Sequence, residues 1–237
     1  MSKIYQHSTL AALMAKQMQG TTTIGDLLTH GDTGIGTLAG VDGEVIILDG
    51  DVYQADEFGK VNHITDMQTT LPFATVHFAS DVAQNIDVAA TDFAGLADLQ
   101  DVYHFTNNFA ALRLHGQFEH VLVRAAPKSE VPYPSLLEVS KKQPTFTADQ
   151  VSGTIVGYFS PSLYQGTVAA GWHLHFLSDD HTFGGHLLEV QTQQVTGTLE
   201  SFSDFQLHLP IEDQSFRDHN ADVDDLDAGI KAAEGGH

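Results

Sequence analysis

One segment sets the architecture of this chain: Gly171-Trp172-His173-Leu174-His175-Phe176-Leu177-Ser178-Asp179-Asp180, continuing through His181 to Gly184-Gly185-His186. Read with the two-residue period of a β-strand, Trp172, Leu174 and Phe176 lie on one face, and His173 and His175 lie on the other. Two imidazoles on one strand face are about 7 Å apart along the chain, a separation that a shared metal ion can bridge.

The residues that follow predict a β-hairpin. Asp179-Asp180 and Gly184-Gly185 are typical turn residues, and Leu187-Leu188-Glu189-Val190 has the pattern of a returning strand. Folding this hairpin about its middle places His186 opposite His175. Three neutral imidazoles with coordination positions left open are typical of a catalytic rather than a structural zinc site, so we predict Zn²⁺ at His173, His175 and His186.

A simpler interpretation of the histidine pair stays open at this stage. Histidines at positions i and i+2 are also common on exposed strand faces, and the chain contains 14 histidines. The third histidine across the Gly-Gly turn favours a metal site. His181 is the weaker candidate, because it falls in the loop, where the direction of its side chain is not fixed.

Composition restricts the ligands and the partners. The chain of 237 residues has no cysteine, so any zinc must be held by histidine and carboxylate side chains. Its 31 acidic and 10 basic residues give a formal charge of −21, which argues against nucleic acid as a partner. An anionic substrate would need local positive charge, and the chain has three arginines, Arg113, Arg124 and Arg217.

The ends of the chain and its hydropathy predict a cytoplasmic protein with no membrane partner. Residues 1–7 lack the apolar run of a signal peptide, and no later stretch approaches membrane-spanning length. The acidic tail, residues 213–235, contains a short helical pattern over residues 223–233, as is common for a solvated terminus.

The remaining sequence predicts a mainly β protein with a few helices. Helical spacing appears over residues 8–18, 23–30 and 91–99, and short strands with turn residues begin at Gly34. We also predict a hairpin in which strands 109–114 and 118–124 flank a tight turn at His115-Gly116-Gln117. Residues 128–144 carry three prolines and several charges and are interpreted as a connector, which divides the chain into domains 1–135 and 136–237.

The chain resembles the alpha-acetolactate decarboxylases. The resemblance rests first on Gly171–Asp180 followed by Gly-Gly-His. It extends over nearly the whole chain through further motifs in the same order: Gly36-Thr37-Leu38, Asp42-Gly43-Glu44-Val45-Ile46, Leu48-Asp49-Gly50-Asp51-Val52-Tyr53-Gln54, and Leu114-His115-Gly116-Gln117-Phe118 through to Arg124. Several separated motifs in one order are more specific than any one of them.

The resemblance implies a fold and a reaction. It implies an α+β, mostly β fold, with an N-terminal mixed β-sheet, a C-terminal β-barrel that carries the metal histidines, and the site between them. It also implies a homodimer that converts (S)-2-acetolactate to (R)-acetoin and carbon dioxide. The substrate class is a 2-hydroxy-3-oxo acid, and the expected route passes through a metal-stabilised enediolate without an organic cofactor.

Three more site residues come from the same resemblance. Glu44 matches the family's active-site glutamate and is the candidate proton donor. Arg124 matches an active-site residue and is expected to orient or neutralise the substrate carboxylate, although these two roles could be exchanged. Glu234 is our placement of a glutamate near the C-terminus that folds back into the site, where it would help to hold water or the second face of the substrate.

Two alternatives compete with the decarboxylase interpretation. A cupin-like metal dioxygenase also uses histidines on barrel strands, but its usual motif needs a glutamate shortly after His175, and Ser178-Asp179-Asp180 contains none. A non-catalytic metal-binding or storage protein would explain the histidines. It would give no reason for Arg124 and Glu44 to accompany them.

Overall fold

The computed structural model describes residues 3–80 and 82–219, and β-strands make up most of it. The strands are β1 Lys3–His7, β2 Thr22–Thr23, β3 Thr33–Leu38, β4 Asp42–Leu48, β5 Asp51–Ala55, β6 Val61–His63, β7 Thr70–Leu71, β8 Phe73–His77, β9 Gln84–Val88, β10 Phe109–Arg124, β11 Thr145–Ser160, β12 Gly171–Ser178, β13 Gly184–Phe202 and β14 Asp204–His208. The α-helices are α1 Leu10–Met14, α2 Ile24–Leu28, α3 Phe93–Ala97, α4 Leu99–Val102, α5 Leu136–Ser140 and α6 Gln214–Asp218. The prediction of a mainly β chain with a few helices is confirmed.

The first sheet has seven strands in the order β14-β1-β8-β3-β4-β5-β6. Neighbouring strands in this sheet run antiparallel, except for β1 and β14. These two strands run parallel and bring the two ends of the described chain together. The sheet is therefore mixed, as the resemblance implied. A separate two-stranded sheet pairs β2 with β7.

The second sheet has five strands in the order β10-β11-β12-β13-β9, and β10 also pairs with β13. All of these pairings are antiparallel. Strands β9 and β10 come from before residue 135, and β14, from the end of the described chain, belongs to the first sheet. The domain boundary at residue 135 and the closed β-barrel stay predictions.

The predicted hairpin over residues 109–124 is wrong. These residues form one 16-residue strand, β10, and the residues between its two halves pair with β11 and β13 instead of turning. Gly116 lies in this strand with φ of 154°, and a Cβ there would come within 2.7 Å of the Gln194 carbonyl oxygen. The glycine thus allows close approach of two strands, a role that the sequence does not distinguish from a turn.

A shared apolar core joins the two sheets. Ile35 and Ile46 of the first sheet pack with Val156 and Leu177 of the second. The outer face of the first sheet is covered by α2 through Ile24 and other buried side chains. Because both faces of β4 are buried, Glu44 at its start is carried into the interior instead of facing solvent.

The connector region also contributes to the core. Helix α5 begins at a capping box in which the Ser135 and Glu138 side chains bond to each other's backbone N–H. Leu136 of α5 packs in one cluster with Leu10 and Leu13 of α1. Both helices thus pack in one cluster with Phe73 of the first sheet.

The predictions for membrane segments and for the acidic tail concern different parts of the chain. None of the helices in residues 3–80 and 82–219 is long and apolar enough to cross a membrane. The helical pattern at 223–233 and Glu234 lie outside the described residues. Of the acidic tail, the structure describes α6 and the residues on either side of it up to His219.

The buried side chain of His77 connects the two sheets and is expected to make the stability of the fold sensitive to acid. Tyr158 donates its hydroxyl hydrogen to the Thr33 carbonyl (3.0 Å), so His77 Nδ1, 2.8 Å from the same hydroxyl oxygen, must carry a hydrogen and donate to it. Burial, with a smaller contribution from Arg113, lowers the pKa of His77 to about 4, and Asp32 opposes the shift. The imidazole therefore resists protonation in the folded protein.

We expect His77 to stabilise the fold above pH 6.5 and to lose that contribution as the pH falls toward 4. The unfolded chain takes up the proton near pH 6.5 while the folded chain does not, so the free energy of unfolding falls by about 3 kcal/mol over this range. Urea unfolding of wild type and His77→Gln between pH 7 and 4 measures it, with exposed His63→Gln as the control. Parallel pH dependence in wild type and His77→Gln would contradict the prediction.

Candidate metal centre

Strand register brings three histidines and an arginine to one place. His175 on β12 pairs with His186 on β13, as predicted from the hairpin, and His186 pairs in turn with Arg124 on β10. His173 lies two residues before His175 on the same face. Leu174 and Phe176 point the opposite way into the core, which confirms the predicted alternation.

The three imidazoles face one another closely enough to share a metal ion. One ligand nitrogen from each of His173, His175 and His186 lies within 4.8 Å of the others. His175 Nε2 and His173 Nε2 are 3.3 Å apart. Two nitrogens bound to one tetrahedral zinc ion at the usual bond length would be ~3.4 Å apart, so this spacing fits.

The surroundings of His175 hold it in the form that a metal ligand requires. Its Nδ1 donates to the Val45 carbonyl oxygen on β4 at 2.9 Å, which leaves the Nε2 lone pair directed at the other histidines. Burial, with the neighbouring His173 as a smaller cause, holds the pKa of His175 well below its usual value. The ring is therefore neutral at neutral pH.

A glycine allows the close approach of the strands at this point. Gly185 has φ of 148°, and a Cβ there would lie 2.6 Å from the Arg124 carbonyl oxygen. Any larger residue would separate β13 from β10 next to the His186–Arg124 pair. The Gly-Gly pair predicted as a turn thus begins β13, and the chain reverses at residues 179–183.

Glu44 joins this group from the first sheet. Its side chain is buried, its Oε2 lies 3.5 Å from His175 Nε2, and its Oε1 accepts the backbone N–H of Ala126 at 3.2 Å. The contact with Ala126 fixes the orientation of the carboxylate. Sequence patterning alone would leave a glutamate at a strand start in solvent, and the structure places it against the histidines.

Arg124 presents a buried donor to the same space. Its Nη2 lies 3.3 Å from His186 Nε2, while its Nε is buried and has no hydrogen-bond partner among the described residues. A buried N–H without a partner is costly, and in native structures it usually meets a ligand or ordered water. The guanidinium therefore offers positive charge and at least one unused N–H beside the histidines.

Four of these groups line one cleft of about 500 Å³, open solvent included, which we call the site cleft. Glu44, Arg124, His173 and His186 form its polar wall. The other described lining residues are Leu10, Leu13, Gly36, Thr37, Val41, Phe73, Leu136, Ser140 and Gln143. The wall from α1, α5 and the residues after α5 was missed from the sequence, because these residues carry no motif and reach the site through tertiary packing.

Three other candidate residues lie apart from the histidine group or outside the described chain. His181 is exposed in the loop, and its ring packs against Tyr53 with centroids 4.5 Å apart. Arg113 lies on the same strand as Arg124 but binds Asp49 through two hydrogen bonds of 2.6 and 2.7 Å. Glu234 is outside the described residues, so its place in the site stays a prediction.

Sequence comparison identifies relatives over the whole length. The sequence model of the alpha-acetolactate decarboxylase family matches residues 4–223. The chain is 36% identical over 234 residues to the alpha-acetolactate decarboxylase of Lactococcus lactis subsp. lactis (strain IL1403), covering 98% of each protein. It is 37% identical over 236 residues to that of Raoultella terrigena, covering 98% of this chain and 90% of the relative.

Solved structures agree with the sequence relatives. The alpha-acetolactate decarboxylase of Bacillus subtilis strain 168 superposes with a TM-score of 0.92 at 31% identity, covering 98% of this chain and 99% of that one. A Staphylococcus aureus protein described as similar to alpha-acetolactate decarboxylase superposes with a TM-score of 0.94 at 33% identity, covering 98% and 100%. The chain therefore belongs to the alpha-acetolactate decarboxylase family.

Proposed function

We propose that this protein decarboxylates (S)-2-acetolactate to (R)-acetoin and carbon dioxide with a zinc ion held by His173, His175 and His186. The observation that carries the proposal is the group of three mutually facing imidazoles, two of which line the site cleft beside a buried arginine N–H that has no partner among the described residues. Membership of the decarboxylase family supports the reaction.

The donor set fits zinc. Three imidazole nitrogens suit Zn²⁺, and fewer than four protein ligands is the arrangement of catalytic rather than structural zinc sites. The chemistry that a bound zinc ion supplies is Lewis acidity toward the substrate's ketone oxygen, which lowers the cost of the negative charge that develops as carbon dioxide leaves. The hydrogen bond from His175 to Val45 fixes one ligand ring in place before binding.

Arg124 binds the substrate carboxylate. The carboxylate is the charged end of a 2-hydroxy-3-oxo acid, and the unused Nε–H of Arg124 is a charge-assisted donor suited to it. The positive charge of Arg124 also offsets the repulsion of an anionic substrate that is expected from a chain of formal charge −21. Arg124 thereby orients the bond between the carboxylate and the hydroxyl-bearing carbon.

Glu44 delivers a proton to the hydroxyl-bearing carbon after carbon dioxide has left. Its carboxyl group faces the site cleft, is buried beside His175 and is oriented by the Ala126 N–H, so it can deliver a proton from one fixed direction. A fixed direction favours a single acetoin enantiomer. We assign Glu234 to holding water or the second face of the substrate. Glu44 and Glu234 are then the two acidic groups of the proposed mechanism.

The remaining expectations belong to the same proposal. We propose a homodimer that acts in the cytoplasm on a small-molecule acid, without nucleic acid or membrane as a partner. We also propose that the second sheet closes as a barrel. The pairing of β10 with both β11 and β13 supports this closure, because it continues the sheet from its first strand back to its fourth.

The direct test of the proposed function is turnover of racemic acetolactate by the purified, zinc-loaded protein. We expect carbon dioxide and acetoin in equal amounts, formation of one acetoin enantiomer, and consumption of the (S) substrate first. Chiral gas chromatography and trapping of carbon dioxide measure the three. Absence of acetoin, with the fold and zinc content intact, would contradict the proposal.

One geometric feature favours a second candidate function. The Glu44 carboxylate lies 3.5 Å from His175 Nε2, so the histidines have a carboxylate neighbour, and histidine–carboxylate sets with open positions also serve non-haem iron oxygenases. This is the cupin-like dioxygenase alternative. Its glutamate would come from the first sheet and not from the strand that carries the histidines.

Oxygen dependence separates the two functions. Because no step of the proposed decarboxylation consumes oxygen, we expect acetoin to form from acetolactate at the same rate under strictly anaerobic conditions as in air. Parallel assays in a glove box and in air, on the same zinc-loaded preparation, measure this. An absolute requirement for oxygen would favour the dioxygenase and remove the decarboxylase mechanism.

A further inference from the structure

Gln143 presents an unused acceptor at the wall of the site cleft. It follows α5 by three residues and lines the cleft together with Arg124, His173 and His186. Its Oε1 atom is buried and has no hydrogen-bond partner among the described residues. Buried side-chain oxygens are nearly always bonded in native proteins, so an acceptor of this kind indicates a group that binds something in the cleft.

The other hydroxyl and amide side chains of the described cleft lining have their hydrogens occupied. Thr37 donates its hydroxyl to the Gly43 carbonyl at 2.7 Å, and Ser140 donates to the Leu137 carbonyl at 3.0 Å. Both contacts serve the local backbone, one at the β3–β4 turn and the other inside α5. Among the side chains that line the described cleft, Gln143 provides the buried acceptor oxygen that makes no hydrogen bond.

The chemistry of the substrate class indicates which substrate group would bond to Gln143 Oε1. At neutral pH a 2-hydroxy-3-oxo acid has a carboxylate and a ketone, which only accept hydrogen bonds, and one O–H group, which can donate. We propose that Gln143 is a specificity residue whose Oε1 accepts the hydrogen bond of the substrate's 2-hydroxyl group. This inference rests on the proposed function, because it names the group of that substrate which Gln143 recognises.

The composition of the cleft supports a neutral acceptor at this position. A carboxylate there would repel the carboxylate of the substrate, whereas an amide oxygen accepts the hydroxyl hydrogen without adding charge. The side chains of Leu10, Leu13 and Leu136 line the same cleft and supply apolar surface for the substrate's alkyl groups. Apolar side chains cannot bond to the hydroxyl hydrogen of the substrate, so a polar acceptor such as Gln143 Oε1 is needed to recognise it.

The test is a binding cycle with two unreactive ligands on the zinc-loaded protein. The ligands are 2,3-dihydroxy-2-methylbutanoate and 3-hydroxy-2-methylbutanoate, which lack the ketone and differ in the 2-hydroxyl group. Calorimetry gives the dissociation constant of each for wild type, for Gln143→Met and Gln143→Leu, and for the exposed control Gln193→Met. Acetoin formation by the same wild-type preparation is measured in parallel.

We expect Gln143→Met to weaken binding of the dihydroxy ligand by about 10-fold and to leave the ligand without the 2-hydroxyl within about 2-fold. Gln193→Met should change neither. Equal weakening of both ligands would show a structural role and overturn the inference. If neither variant folds, equal affinity of wild type for the two ligands overturns it as well.

The parallel assay separates the inference from the function on which it rests. Acetoin formation by wild type, together with no hydroxyl-specific loss in the variants, would overturn the role of Gln143 and leave the decarboxylase standing. Absence of acetoin from folded, zinc-loaded wild type would overturn both. Acetoin formation together with a hydroxyl-specific loss in Gln143→Met supports both.

Discussion

Replacing His173 by alanine is expected to remove both zinc binding and acetoin formation. The loss of one of three imidazoles leaves a site with two protein nitrogens, and Lewis acidity at the ketone oxygen contributes several kcal/mol, so turnover should fall by about 10³-fold or more. His173 is half-buried and suits this test better than His175, whose removal would also leave the buried Val45 carbonyl without its donor. Metal analysis and an acetoin assay on one preparation measure both effects.

The other histidines provide the comparison. His175→Ala and His186→Ala should give the same two losses, with lower thermal stability for His175→Ala. His181→Ala is the matched control, because its ring packs on Tyr53 and lies outside the group that can share an ion. Loss of zinc from His181→Ala, with zinc retained in His173→Ala, would show that the proposed ligand set is wrong.

Arg124→Lys is expected to keep the fold and the zinc but to lose on the order of 10²-fold or more in turnover. Lysine retains the positive charge, but its ammonium lacks the planar fork with which arginine binds a carboxylate through two N–H groups. The Nε of Arg124, which has no partner within residues 3–80 and 82–219, is the donor that lysine cannot replace. Steady-state kinetics on acetolactate, with circular dichroism and zinc analysis, measure the effect.

Arg113→Lys is the control for this prediction. Arg113 lies eleven residues earlier on the same strand and binds Asp49, which lies between β4 and β5 of the first sheet. Its side chain is 34% exposed and that of Asp49 is 67% exposed, so weakening this ion pair should change stability by about 1 kcal/mol or less. Turnover should stay near wild type. Equal turnover of the two lysine variants would remove Arg124 from the mechanism.

The histidine cluster could be predicted because it depends on local rules. Strand alternation puts His173 and His175 on one face, and the two strands that meet at His175 and His186 are close in sequence, so short-range pairing decides their register. Local helical spacing likewise predicted a short helix over residues 23–30, where the structure has α2, Ile24–Leu28. Glu44 and Arg124 were named through the family resemblance, since alternation alone would not bring either to the histidines.

The rest of the site depends on contacts between residues far apart in sequence. The sequence predicts a hairpin where the structure has the 16-residue strand β10, because a glycine such as Gly116 is typical of turns as well as of close strand contacts. Leu10, Leu136 and Gln143 reach the site cleft through the packing of α1 against α5. Gln143 Oε1 is a buried acceptor without a partner in the part of the chain that the structure describes, and no sequence pattern predicts such a feature of the folded protein.

The most direct test of a three-histidine zinc decarboxylase is to titrate zinc into chelator-treated wild-type protein while recording carbon dioxide release from acetolactate. The stripped protein should be inactive, and carbon dioxide release should rise in proportion to bound zinc and level off at about one zinc per chain. Full carbon dioxide release from folded protein that contains no metal would contradict this prediction.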